Sequence, residues 1–302
     1  MRTLRIYFHN LFAIRIYFIM QELAYYNGDY GEAADMRVPF TDRAAFFGDG
    51  VYDATYCVDR GIFALSEHID RLYRSADAVG IAPPMGKIEL AAEVRRLVKL
   101  PDSPNLFVYI QFTRGSGTRS HAWRGGKSNL WIYLYPKDVT PPCAALKAIT
   151  VADNRYGLCG VKTINLLPNV LASELAADRG CDEAIFIKDG RVTECAHSNI
   201  SILKDGVLYT APADGNILAG ISRAHLISVC ESLDIPCRYI AVPKDALKDA
   251  DEVIITSSGV PCSPCAEIDG DRVGGRARGK IEALQDLLYR QYELVCAMDR
   301  RI

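Results

Sequence analysis

Little net charge, no long uninterrupted apolar run and none of the common nucleotide-binding loops mark this 302-residue sequence. Thirty-five Lys and Arg against 37 Asp and Glu leave a formal charge of −2, so nothing electrostatic points to nucleic acid or an anionic membrane. No GxGxxG precedes a helix pattern, no Walker A loop is present, and no internal repeat is evident. The most apolar stretch, Met1 to Ile19, is broken by Arg2, Arg5, His9 and Arg15. Its longest run free of Lys, Arg, Asp and Glu, Ile6 to Ile14, is too short to span a bilayer. It also lacks the unbroken apolar region and small-residue cleavage site of a signal peptide. Ordinary strand and turn patterning begins at Met20, which reads as the functional start, with residues 1–19 an extension that carries no function. The ten cysteines are scattered through apolar segments of a chain long enough not to need staples, which suits reduced thiols in a cytoplasmic protein. Cys262-Ser263-Pro264-Cys265 is a lone CxxC with neither a second pair nor a histidine ligand pattern, so no metal site is expected.

A hydrophobic content of 49% and a charged content of 24% are those of a globular protein, and the length allows two domains. Hairpins come first. Leu23–Tyr26 runs into Asn27-Gly28, a type I′ turn, and the strand Gly50–Val58 turns at Asp59-Arg60-Gly61 into Ile62–Leu65. Ser66 is placed to cap a helix bearing Ile69, Leu72, Tyr73 and Ala76 on one face and Arg71 on its polar side, with Gly80 as its stop. A helix from about Lys87 to Leu100 and strands at Leu106–Thr113 and Leu130–Tyr135 follow. Thr140-Pro141-Pro142 is the linker candidate. Beyond it lie a strand at Ala148–Ala152, a helix from about Pro168 to Arg179, and hairpins turned by Asp189-Gly190 and Asp205-Gly206. A helix at Ile221–Leu233, a strand at Glu252–Thr256, a turn at Asp269-Gly270 and a closing helix from about Arg276 complete the chain. Hairpins joined to separate helices predict an α+β fold in two domains: 20–140, small and N-terminal, and 141–302, larger.

Chemistry is concentrated in a few stretches. Lys162 sits among Leu158, Val161, Ile164, Leu166 and Leu167, where desolvation would favour the neutral amine needed for Schiff-base chemistry. A lysine whose stem covers apolar surface is the plainer alternative. At Gly220-Ile221-Ser222-Arg223 a loop becomes a helix, which offers free amides and a dipole to a phosphate, or merely a Ser222 cap. Thr256-Ser257-Ser258-Gly259 is either a second hydroxyl cluster or an ordinary turn. Glu194 ends an apolar strand and could hold a ring nitrogen protonated, or stand as a rim carboxylate. The loop Arg114–His121, with two arginines and a histidine, suits carboxylate capture, or is solvated and mobile. Buried amine, phosphate cup, ring-nitrogen partner and carboxylate clamp together are what a pyridoxal phosphate enzyme acting on amino acids requires.

From Met20 onward the sequence resembles the class IV, fold-type IV, pyridoxal phosphate (PLP)-dependent aminotransferases, and most closely their D-amino-acid branch. The motifs are Phe47-Gly48-Asp49-Gly50-Val51-Tyr52, Glu67-His68-Ile69-Asp70-Arg71-Leu72-Tyr73, Thr113-Arg114-Gly115 and Arg119-Ser120-His121, then Val161–Leu167, Val192-Thr193-Glu194, Ser198-Asn199 and Ile217–Arg223. The resemblance implies a two-domain enzyme with pyridoxal 5′-phosphate between the domains. Lys162 would bond the cofactor and carry the proton, and Glu194 would pair with the pyridine nitrogen. Arg71, Ile221, Ser222 and Ser258 would bind the phosphate, and Leu218 would support one ring face. Tyr52, Arg119 and His121 would hold the substrate carboxylate, the last two from a neighbouring subunit, so a homodimer is implied. The implied reaction is ping-pong: D-alanine gives pyruvate, and 2-oxoglutarate is then aminated to D-glutamate. A salt bridge to the ring should keep Glu194 ionised and its pKa low.

Some positions depart from that pattern. Pro168-Asn169 replaces small residues, Cys195-Ala196-His197 stands where small or hydroxyl residues are usual, and Ser258-Gly259 stands where threonines are usual. The phosphate cup should survive the exchange of Thr for Ser. A branched-chain L-aminotransferase on the same fold would carry an aromatic-Glu-Gly element where Tyr52-Asp53-Ala54-Thr55 stands. An aminodeoxychorismate lyase would share Lys162 and Glu194 but eliminate pyruvate. A non-enzymatic binding protein would keep the fold without needing Lys162.

Overall fold

A computed structural model describes residues 4–6, 16–18, 21–123, 125–140 and 145–302. The chain separates into two compact units, Met1–Asp138 and Val139–Ile302. In the first, β1 (Leu4–Ile6) and β2 (Ile16–Phe18) pair antiparallel; the reading of Met20 as the start falls on a residue outside those described.

The rest of unit 1 is a six-stranded sheet whose pairs are all antiparallel. Its strands are β3 (Leu23–Tyr26), β4 (Asp29–Glu32), β5 (Gly50–Val58), β6 (Gly61–Ile62), β7 (Leu106–Thr113) and β8 (Asn129–Pro136), in the order β4-β3-β8-β7-β5-β6. Asn27 and Gly28 take φ of 51° and 112°, the left-handed backbone that the two-residue turn between β3 and β4 requires. Three helices accompany the sheet: α1 (Arg43–Phe47), α2 (Leu65–Ala78) and α3 (Lys87–Leu97). Asp42 caps α1 by accepting from the Ala44 amide at 2.9 Å.

Two expectations about α2 are corrected. Its N-cap is Ala64, with no side-chain cap, so Ser66 lies inside the first turn and is exposed. Arg71, which the amphipathic pattern puts on the polar side, is buried on the same face as Leu72 and Ala76. A guanidinium can occupy that face because Asp53 meets it there.

Unit 2 holds a nine-stranded mixed sheet. It comprises β9 (Leu146–Ala152), β10 (Glu183–Lys188), β11 (Arg191–Cys195), β12 (Asn199–Lys204), β13 (Val207–Thr210), β14 (Cys237–Tyr239), β15 (Glu252–Ser257), β16 (Val260–Ile268) and β17 (Asp271–Arg272). The main path runs β11-β10-β9-β16-β15-β12-β13-β14, with β17 beside β16. Its helices are α4 (Leu167–Asp178), α5 (Ile221–Ser232), α6 (Ala246–Asp249) and α7 (Arg278–Asp299).

Strand alternation divides the core. Val253 and Ile255 join Ile200, Ile202 and Ile185 in one cluster, while Ile254 joins Leu203, Leu226, Leu284 and Leu288 in another, packed with α5 and α7. Burying each such side chain contributes ~2 kcal/mol. The same alternation splits the CxxC pair, because Cys262 belongs to the helix-side cluster and Cys265 to the other. The nine described cysteines are free thiols. α4 is unusual in that Ala172 and Ala176 face the core with Ile149 and Phe186, whereas Leu167, Val170 and Leu171 are exposed.

Candidate active site

In unit 2 the best-connected candidate is Glu194, near the end of β11. One carboxylate oxygen accepts from the Arg155 guanidinium; the other accepts from Asn199 Nδ2 and the Leu218 amide, each at 3.0 Å. A carboxylate offers ~four acceptor positions. Three are used, which leaves room for one more donor.

Asn199 is the hub of this corner. It also donates to the Leu218 carbonyl at 3.0 Å, and its register partner across β12 and β15 is Thr256. A Cβ on Gly220 would lie 1.8 Å from Asn199 Oδ1, so only glycine lets α5 begin so close.

α5 starts without a cap. Gly220 is the N-cap residue and has no side chain with which to close the first turn. Ser222 is therefore not the helix cap. Its hydroxyl lies buried within the first turn with no hydrogen-bond partner. Thr256 Oγ1, also buried, is likewise unpartnered. Ser258 stands in the turn between β15 and β16, and its carbonyl accepts from Tyr292. The hydroxyls of Ser201 and Ser263 are unpartnered too, but Ser222 alone of the four lies in the first turn of α5, where free helix amides make its hydroxyl fit an oxyanion ligand such as a phosphate.

Lys162 lies in a loop rather than a strand. Turn bonds shape that loop: Val161 N–H to Leu158 O and Thr163 N–H to Val161 O, both 2.9 Å. The lysine is half-buried, and Leu158 and Leu167 are exposed at 63% and 60%, so its surroundings are less apolar than the sequence suggests. Its charge acts on Glu194 and lowers that carboxyl's proton affinity. Burial is the larger influence, however, and raises the Glu194 pKa to about 7 against the pull of Arg155. A low Glu194 pKa was expected from a ring partner alone; the protein's own contribution has the opposite sign, because desolvation penalises the charged form. A carboxyl balanced near neutrality is suited to sharing a proton with a basic ring nitrogen.

Arg155 was not singled out from sequence. It is held by Asp153 at 2.7 and 2.9 Å and by the Asn216 carbonyl at 3.1 Å, and lies over the Phe186 ring at 4.6 Å. No spacing rule marks an arginine seven residues before a lysine. The departure at Asn169 also has a structural role, since its Nδ2 donates to the Ala196 carbonyl at 2.7 Å and joins α4 to the β11–β12 turn.

The remaining candidates lie in unit 1. Arg71 forms a fork on Asp53, Nε to Oδ2 and Nη2 to Oδ1 at 2.8 Å each, and His68 Nδ1 meets Asp53 Oδ1 at 2.7 Å. Burial pushes the Asp53 carboxyl upward, but Arg71 and His68 overcome it and hold the group well below the usual carboxylate range. Tyr52, the residue before Asp53 in β5, stacks on Tyr109 at 5.3 Å. Arg119 and His121 are exposed on the loop after β7 and share one neighbour, the Phe47 ring, at 5.1 and 5.2 Å.

The α+β fold and the Glu194 corner are compatible with an enzyme class that holds a phosphorylated, nitrogen-ring cofactor. The family model for amino-transferase class IV matches residues 50–268. The chain belongs to the class IV aminotransferases, which are pyridoxal phosphate-dependent. It is 36% identical over 259 residues to a D-alanine aminotransferase of Bacillus licheniformis, covering 85% of this chain and 92% of the relative. A D-alanine aminotransferase of Staphylococcus epidermidis is 37% identical over 259 residues, 84% of this chain and 92% of the relative. Among solved structures, a branched-chain aminotransferase of Thermoproteus uzoniensis with norvaline superposes with a TM-score of 0.82 at 26% identity, covering 89% of this chain and 93% of that one. A fold IV transaminase of Curtobacterium pusillum gives 0.74 at 25%, over 87% and 92%.

Proposed function

We propose that the chain transaminates D-amino acids, with D-alanine giving pyruvate and 2-oxoglutarate giving D-glutamate in two half-reactions. When bound, pyridoxal phosphate supplies a carbonyl carbon that an amine can hold covalently and a ring that withdraws electrons from the substrate Cα. Lys162 would hold that carbon until the substrate amine displaces it, and its freed Nζ would then take the Cα proton and return it on the same face, preserving the hand. Glu194 shares a proton with the ring nitrogen through its remaining acceptor position. Arg71 and Ser258, with the amides of Ile221 and Ser222 and the Ser222 hydroxyl, bind the phosphate, and Leu218 supports one ring face. Tyr52, Arg119 and His121 hold the substrate carboxylate. The last two are contributed by a second copy of the chain, so the working form is a homodimer, and the exposed Leu167, Val170 and Leu171 on α4 suit burial in such a contact. A cytoplasmic location, consistent with free thiols, belongs to the same proposal.

The carrying observation is the Glu194 corner: a buried carboxyl held by Arg155, Asn199 and Leu218 with one acceptor position left, near an uncapped helix start and the unpartnered Ser222 hydroxyl. The D-alanine aminotransferase relatives support the D-hand. A branched-chain L-aminotransferase is the second reading, favoured by the Thermoproteus uzoniensis structure. The Asp53 position weighs against it, since its carboxylate is committed to Arg71 and His68.

Protein loaded with pyridoxal phosphate should show a visible absorption band that borohydride removes, with the label on Lys162. D-Alanine, L-leucine and aminodeoxychorismate are then assayed separately. Turnover of D-alanine with 2-oxoglutarate is the expected result. Turnover of L-leucine or aminodeoxychorismate without D-alanine would overturn the reading.

A further inference from the structure

Arg43 has no place in the proposed chemistry, yet it is among the most completely engaged arginines of unit 1. It is 4% exposed, and its Nε pairs with Asp49 Oδ2 at 2.7 Å. Its other two nitrogens reach the loop after β7: Nη1 donates to the Ser120 carbonyl at 2.5 Å and Nη2 to the His121 carbonyl at 3.3 Å. These are the two carbonyls that bracket His121, the second within His121 itself. A planar guanidinium on both holds the local backbone in one orientation, and charge-assisted bonds of this kind are the stronger class. The same guanidinium lies over the Phe47 ring at 4.7 Å, the ring that Arg119 and His121 also touch.

The loop is fixed at a second point. Trp123 lies 5.2 Å from the Arg43 guanidinium, and its indole rests on three glycines. A Cβ on Gly117 would come within 2.6 Å of the indole, on Gly126 within 2.3 Å and on Gly115 within 3.3 Å. The absence of side chains there is what lets the indole lie against the backbone. Backbone bonds from Arg43 N to Gly115 O and from Gly117 N to Thr41 O, both 3.0 Å, join the loop to the start of α1. Arg119 and His121 are therefore exposed side chains on an anchored backbone.

We propose that Arg43, with Trp123, is a positioning residue for substrate binding: it presets the Arg119–His121 backbone so that both side chains meet the substrate carboxylate without a loop-ordering cost. The inference rests on the reading of Arg119 and His121 as carboxylate ligands. Preset loops gain affinity by reducing what must be ordered on binding. If the carboxylate is held equally in ground and transition states, the gain appears in KM and not in kcat.

The test uses the holoenzyme with D-alanine and 2-oxoglutarate. Arg43→Lys keeps a cation for Asp49 but cannot bridge both carbonyls. It should raise KM for both substrates about tenfold, with kcat within about twofold of the parent. Arg119→Ala should raise KM by itself, and Arg43→Lys added to it should cost little more, because the two act through one contact. Trp123→Phe leaves Arg43 in place and should raise KM by about threefold; it serves if Arg43→Lys does not fold. A KM change in Arg119→Ala but in neither Arg43→Lys nor Trp123→Phe would overturn the inference and leave the carboxylate reading standing. A fall in kcat and melting temperature with KM unchanged would make Arg43 a structural strut and also overturn it. Unchanged KM in both Arg119→Ala and His121→Ala would remove the carboxylate reading and the inference with it.

Discussion

Replacing Asp53 by Asn keeps the side-chain shape and removes one charge from a group of three buried side chains. Asp53 and His68 are each 1% exposed and Arg71 is 6% exposed. The Asp53–Arg71 fork is bidentate at 2.8 Å, so the substitution leaves a guanidinium buried without its counter-charge. Breaking a buried pair from one side costs ~3–5 kcal/mol, most of it the desolvation of the partner left behind. For a unit of this size each kcal/mol lowers the melting temperature by about 4 °C, so a fall of roughly 10–20 °C is expected by circular dichroism on cofactor-free protein.

The pH dependence carries the same information. The folded Asp53 carboxyl is held well below the usual range, so its stabilisation is full above the unfolded value and is lost as pH falls through the folded one. Asp53→Asn should therefore remove part of the acid limb of the parent's stability profile. The double variant Asp53→Leu/Arg71→Met removes both charges and should melt closer to the parent than Asp53→Asn does. An Asp53→Asn midpoint within about 2 °C of the parent, or a double variant that melts below the single one, would refute the reasoning.

Ser222→Ala removes a buried hydroxyl that has no partner, so stability should hold or rise by ~1 kcal/mol, while pyridoxal phosphate dissociates about tenfold more readily in equilibrium dialysis. Gly220→Ala sets a Cβ 1.8 Å from Asn199 Oδ1, and displacing Asn199 disturbs both Glu194 and the start of α5; a loss of ~2–3 kcal/mol in urea unfolding and weaker cofactor retention are expected. In the cofactor-free protein the Glu194 pKa is about 7 against an ordinary 4.5, so the folded state binds the extra proton between those values. Its contribution to stability therefore declines as pH rises from about 4.5 to 7, by ~3 kcal/mol at most, and Glu194→Gln should flatten that slope in pH-dependent denaturation.

Sequence by itself determined the element order and the family. Turn chemistry is local: Asn27-Gly28, Asp189-Gly190 and Asp205-Gly206 each adopt the left-handed backbone that closes a hairpin, and alternation in β5 and β7 follows from the strand period. The Lys162, Glu194 and Ser222 motifs were legible because residue type and spacing carry them. The environment of each was not. Lys162 reads as enclosed by leucines, yet Leu158 and Leu167 turn outward, since a loop has no period from which to infer the direction of a side chain. Arg71 reads as surface, because only the fold brings Asp53 of β5 beneath α2. Arg155 and Arg43 carry no motif at all. Their roles arise from partners 39 and 77 residues away, Glu194 and Ser120, and a contact across such separations exists only once the sheets have formed. Burial, too, is a tertiary property. It set the Glu194 proton affinity against the sign that a ring partner alone would give, because desolvation depends on what packs around a carboxyl and not on the residues beside it in the chain.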